Sequence, residues 1–177
     1  MADWNNLATV INANNHRWWH DKEGNKLERN RNELLALVVS EVSECLEGER
    51  KDLWDDHLSH RKMAEVELAD TLIRILDFAG GYGIEISDHD GTHVMFDSSK
   101  HKPELLMAIV SDVSFLFDDL YEDEDSDSIR YVINDIMKYA EFFGYDVLSA
   151  MEEKLQYNKN RKDHTYEARE QENGKKF

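Results

Sequence analysis

From Glu33 onward the apolar residues recur with a helical period. Counting from that residue at about 100° per position, Leu34, Leu35, Val38, Val42, Cys45 and Leu46 cover an arc of roughly 100° to 220°, which Leu37 widens to roughly 40°. The pattern predicts a helix over 32–47, with Asn32 as N-cap and Gly48 as terminator. Glu41 falls between Leu34 and Leu37, inside the apolar arc, while Glu44 lies at its edge beside Leu37. The next periodic run, 62–79, is apolar around most of its circumference through Leu68, Ala69, Leu72, Ile73, Ile75, Leu76 and Ala79. It leaves only a narrow stripe of Glu67, Asp70, Arg74 and Asp77, and the GGYG string is expected to stop it. A helix so widely apolar is usually surrounded by others, so the stripe is expected to face a cleft.

The same reasoning predicts a helix over 3–16 with Trp4, Leu7, Ala8 and Ile11 inward, and one over 103–120 opening on Pro103 and Glu104. Another is expected over 127–143, broken at Gly144 and resuming to about Arg161. One Pro and eight Gly in 177 residues leave these runs intact, so the predicted class is all-α, a helical bundle. Residues 1–165 make one domain, followed by a polar tail, 166–177.

A net charge of −17 argues against binding to polymeric nucleic acid, which asks for a basic face. It does not argue against a nucleotide, because a bound cation inverts local charge. Cys45 is the single cysteine and sits in the apolar arc, which predicts a buried core thiol and no intrachain disulfide. With no targeting signal and no apolar run of bilayer length, a cytoplasmic location away from membranes is expected.

The chemistry rests on two i, i+3 carboxylate pairs, Glu41/Glu44 in EVSE and Glu67/Asp70 in ELAD. Alone, such a pair says little, and the Glu67–Asp77 stripe by itself reads as a solvated face with an Asp70–Arg74 pair. Glu41 changes the balance, since a carboxylate within an apolar arc needs a compensating cation. Two pairs on consecutive helices predict a site for a hard divalent ion, Mg²⁺ with Mn²⁺ as substitute. Arg74 is open between contacting phosphate and pairing with Asp70 and Asp77. The acidic run DDLYEDEDSD does not make a calcium loop: with Asp123, Asp125 and Asp127 as first ligands, Ser128 takes the glycine position and Asn134 the bidentate glutamate position. In HRWWH, Trp18 and Trp19 cannot share a helix face. Taken singly each reads first as core, but one could cover the site and stack on a base.

The segments 33–43, ELLALVVSEVS, and 104–114, ELLMAIVSDVS, agree at seven of eleven positions. Either a helix hairpin has been duplicated or two core helices share composition. Under duplication Glu41 matches Asp112, Glu44 matches Phe115, and Glu67 and Asp70 align with Arg130 and Ile133, so the second copy has largely lost the carboxylates and only the first keeps its metal set.

Together LALVVSEVSECLEGERK, the DDHL connection, EVELADTLIRILDFAGGYGIEI and KLQYNKNRKDH resemble the MazG-like group of the all-α NTP pyrophosphatase superfamily. The resemblance spans 5–86 and resumes over 144–164, and is weakest between 87 and 127. It implies an all-α bundle that hydrolyses a nucleoside triphosphate, often a deoxy one, to the monophosphate and pyrophosphate with Mg²⁺ held by Glu41, Glu44, Glu67 and Asp70. It also implies that Lys154, Asn158 and Arg161 contact phosphate or sugar, with Tyr157 on the same helix face as Lys154. Glu44 is the expected proton acceptor. A dedicated dUTP pyrophosphatase and a non-catalytic nucleotide-binding helical protein are the alternatives. The apolar girth of the 62–79 helix further predicts a homo-oligomer, a dimer or tetramer in which a partner subunit covers it.

Overall fold

The computed structural model describes residues 2–92, 100–117 and 125–175. Within them the chain is all-α, and its only β-type pairings are two isolated bridges, His20 with Lys26 and Trp54 with Lys62. The helices are α1 (Trp4–Asn14), α2 (His16–Trp19), α3 (Arg31–Lys51), α4 (Met63–Tyr82), α5 (Lys102–Phe115), α6 (Asp125–Phe143), α7 (Val147–Lys159) and α8 (Tyr166–Arg169). The acidic run's residues 118–124, the end expected for the fourth helix, and part of the loop before Pro103 lie outside the described residues. No described helix is long and apolar enough to cross a membrane.

α4 is the central element. It packs against α1, α3, α6 and α7, and thirteen of its twenty residues are buried. The chain itself therefore covers the girth that was expected to need a partner subunit, and that argument for an oligomer falls away. α3 pairs with α4 and α5 pairs with α6; α3 also meets α5, and α4 meets α6. Asn30, not Asn32, caps α3, accepting from the backbone N–H groups of Asn32 and Glu33 at 2.9 and 3.2 Å. Glu104 closes a capping box on His101 at the start of α5, with Pro103 in the first turn.

The glycines depart most from expectation. Gly48 and the pair Gly80–Gly81 lie inside α3 and α4 rather than ending them; Asp52 and Gly83, both left-handed, are the C-caps. A Cβ on Gly48 would stand 2.8 Å from the Ala64 backbone nitrogen, and one on Gly80 2.5 Å from the Ala8 carbonyl oxygen. A Cβ on Gly81 would stand 2.1 Å from the Trp19 ring. These glycines admit neighbouring backbone and an indole, a packing role that a turn rule misreads. Gly80→Ala should cost about 1–3 kcal/mol, because the obstacle is backbone on α1 and cannot rotate away. Urea denaturation would measure this, and an unchanged midpoint would show that α1 and α4 are not so closely apposed.

Buried polar contacts tie the bundle together. Glu49 of α3 pairs with Lys102 of α5 and accepts from the hydroxyls of Tyr139 and Tyr145 at 2.9 and 2.8 Å. Arg61, before α4, holds Glu65 at 3.1 Å and reaches α7 through Ser149 and Glu153 at 2.7 and 2.8 Å. This clamp fixes α7 against the α3–α4 hairpin.

Candidate metal centre and adjoining cavity

Since α3 and α4 lie side by side, their acidic residues meet. Glu41 and Glu67 are each 6% exposed, and one carboxylate oxygen each from Glu41, Glu67 and Asp70 lie within 4.8 Å of one another. Glu44, one turn beyond Glu41, stays at the exposed rim and is not part of that tight group. It still senses the group: burial, then the charge of Glu41, pushes its carboxyl above the usual range. Burial, reinforced first by Asp70, pushes Glu67 up to about 9. Asp70 is raised by burial too, against the pull of Lys154.

Two cations face these carboxylates. Arg74 pairs across the hairpin with Glu41 of α3, whereas the sequence leaves phosphate or its own-helix neighbours Asp70 and Asp77 open to it. Lys154, its side chain only 4% exposed, reaches Asp70 at 2.8 Å. Burial opposes the charge on Lys154, but Asp70 and Glu67 outweigh it and raise its pKa. Lys154 therefore belongs to the carboxylate cluster itself, whereas the sequence placed it apart among phosphate contacts. Four acidic side chains face two basic ones, and mutual repulsion among the carboxylates adds to the effect of burial in raising their pKa values. A dipositive ion that prefers anionic oxygen fits that donor set.

Beside Asp70 and Arg74 opens a cavity of about 120 Å³, near the roughly 150 Å³ that takes a benzene ring. Leu34, Leu37 and Ile73 give it apolar surface, and Trp18, His164, Asn158 and Arg161 line it with them. The Oδ1 of Asn158 is buried without a hydrogen-bond partner among the described residues, and its backbone carbonyl accepts from Arg17 at 3.3 Å. Arg161 is held by Asp163 through two bonds of 3.0 and 2.7 Å. Tyr157 is not brought to this cavity; its ring packs on His57 at 4.6 Å. Asp77 does line the cavity, and its carboxylate accepts from Asn12 and from the Trp19 indole at 2.8 and 3.0 Å. Both tryptophans line the cavity, Trp19 buried against Gly81 and Trp18 half-buried.

His164 and Arg29 line the cavity without having been singled out from the sequence. Burial, then Arg161 and Lys175, lower His164 to about 4, so it is neutral at pH 7 and keeps an acceptor nitrogen. His164 closes the KLQYNKNRKDH string, a signal that was present, whereas nothing in its spacing marked Arg29.

The matching position in the α5–α6 hairpin is not empty of acid. Asp112 and Asp135 are 2% and 0% exposed and lie close enough for the charge of one to act on the other. Burial, then the charge of Asp112, pushes Asp135 up to about 8 from an ordinary 3.8. Between these pH values the folded chain holds one proton more than the unfolded chain, so stability falls as pH rises through the window. Asp135→Asn keeps a donor toward Asp112 without the charge. It should be nearly neutral at pH 5 and stabilising by about 1–3 kcal/mol at pH 8.5, read from melting curves at both pH values. Equal shifts at the two would show that no such proton is held there.

Comparison of the chain with protein-family models, with curated proteins and with solved structures found no match in any of the three.

Proposed function

We propose that this protein is a divalent-cation-dependent pyrophosphohydrolase that converts a nucleoside triphosphate to the monophosphate and pyrophosphate. The observation that carries the reading is the convergence of Glu41, Glu67 and Asp70 within 4.8 Å beside a cavity with an aromatic and cationic wall. The sequence resemblance to MazG-like enzymes supports it independently of that geometry.

In this reading Glu41, Glu67 and Asp70 would hold Mg²⁺ or Mn²⁺, with Glu44 contributing from the rim. The ion, when bound, supplies charge to the phosphate oxygens and acidifies water. The protein's own work is positioning and electrostatics, because triphosphate cleavage leaves little covalent chemistry to do. Water adds to the α-phosphorus, the bond from that phosphorus to the bridging oxygen breaks, and pyrophosphate leaves with the bonding pair. Glu44, at the rim and with a raised pKa, accepts the proton that the water loses. Lys154 and Arg74 keep the cluster from repelling an incoming polyanion, and Arg161 presents a guanidinium further along the cavity. Asn158 Oδ1 offers an acceptor, and Trp18 an aromatic wall for the base.

A chelation experiment tests the metal requirement. EDTA should abolish hydrolysis, Mg²⁺ or Mn²⁺ should restore it, and Ca²⁺ should serve poorly because it is larger and less demanding in geometry. Full turnover in excess chelator contradicts the proposal. A preference for dUTP over all other substrates would narrow the activity to a dUTP pyrophosphatase, and tight binding without turnover would favour a nucleotide-binding protein.

A further inference from the structure

Residues after Arg161 do more than trail from the bundle. The Tyr166 hydroxyl donates to the carbonyls of His20 and Asp21, each at 3.2 Å, and Glu170 pairs with Lys22 at 2.6 Å. Arg169 donates to the carbonyl of Arg17, and its guanidinium lies 4.2 Å from the centre of the Trp18 ring. His164 meets the same ring edge-on at 5.3 Å. Trp18 and His164 line the cavity beside the carboxylates, whereas Arg169 lines a separate groove with Tyr166 and Glu170. The arginine lies over the indole from the side of a groove that Trp18 does not line, while the indole itself lines the cavity.

From this geometry we infer that residues 162–175 form a wall of the substrate cavity and that Arg169 is a positioning residue, holding the Trp18 ring ready for a planar aromatic group of the ligand. For the identity of that ligand, the inference rests on the nucleotide reading above. The cation on one face orders the ring before binding, so the ligand does not have to immobilise it. His164 supplies the adjoining edge in its neutral state. Without this segment Trp18 would lose the Arg169 and His164 contacts to its ring.

The test uses the full chain carrying 5-fluorotryptophan, with the Trp18 resonance assigned by Trp18→Phe. Arg169→Met should shift and broaden that resonance while leaving those of Trp4, Trp19 and Trp54 in place, which also shows that the variant folds. Non-hydrolysable α,β-imido analogues of the common nucleoside triphosphates, with Mg²⁺, should bind about tenfold more weakly. Inorganic tripolyphosphate has no aromatic part and should bind within twofold of wild type. Arg169→Lys should retain most of the affinity, and Trp18→Leu combined with Arg169→Met should bind no worse than Trp18→Leu alone. An unmoved Trp18 resonance, unchanged analogue affinity, or losses that add in the double variant would overturn the positioning role. If the wild type binds neither analogues nor tripolyphosphate while Trp18 still responds to Arg169→Met, the nucleotide reading falls and the cavity wall loses its ligand, but the Arg169–Trp18 contact stands.

Discussion

Glu67→Gln should lower turnover of the preferred nucleoside triphosphate by about 10²- to 10³-fold, while the variant melts several degrees above wild type when no divalent ion is added. The two effects have one origin. Glu67 is almost fully buried beside Glu41 and Asp70, and its pKa lies near 9 against an ordinary 4.5. Between those values the folded protein holds a proton that the unfolded chain releases, so the wild type loses stability as pH rises through the window. Glutamine keeps the shape of the neutral acid and removes that dependence. It also removes one anionic ligand, and in the proposed enzyme that loss dominates turnover. Melting curves from pH 5 to 9 without metal, paired with initial rates in Mg²⁺, measure both effects. A variant with wild-type rates would remove Glu67 from the proposed centre, and a stability gain independent of pH would show that Glu67 is not the group held protonated.

Lys154→Met should have the opposite effect on stability. Its ammonium is buried against Asp70, and methionine fills a similar volume without charge. Removing one member of a buried ion pair leaves the other uncompensated, at a cost of about 3–5 kcal/mol. For a chain of this length that is a fall of roughly 10 °C in melting temperature. Mg²⁺ should recover part of the loss, because in the proposed centre the ion supplies positive charge to the same carboxylates. A variant as stable as wild type would mean that Lys154 does not neutralise Asp70. An unaltered response to Mg²⁺ would separate the lysine from the proposed ion site.

These two residues mark where sequence reasoning reached and where it stopped. Glu41 was legible because a carboxylate interrupted an apolar arc, of which Leu35, Val38, Val42 and Cys45 are buried while Leu34 and Leu37 beside Glu41 are half-buried and line the cavity. The stripe on α4 was legible as a group but not in its parts. Asp70 meets the other carboxylates, while Asp77 turns to Asn12 and the Trp19 indole, a partition set by the docking of α1 and α2. Lys154 sits far along the chain, and its place among the acids depends on how α7 leans on α4, which no local spacing encodes. The GGYG string does stop α4, at Gly83, but Gly48, Gly80 and Gly81 lie within helices because glycine's turn preference is a local rule, while the close approach of a neighbouring helix is tertiary. The polar tail illustrates the same limit. Its composition lacks an apolar face, yet Tyr166 and Arg169 dock through hydrogen bonds and a cation over an indole. A hydrophobic-periodicity argument does not register such contacts.

The central claim is the reaction itself, and analysis of its products tests it most directly. Purified protein incubated with each common ribo- and deoxyribonucleoside triphosphate in Mg²⁺ should yield monophosphate and pyrophosphate in equal amounts for at least one of them, with no nucleoside diphosphate at any time in the course. Anion-exchange chromatography with phosphorus NMR resolves all of these species. Accumulation of diphosphate and orthophosphate, or the absence of hydrolysis of every triphosphate in Mg²⁺ and Mn²⁺, would contradict the account.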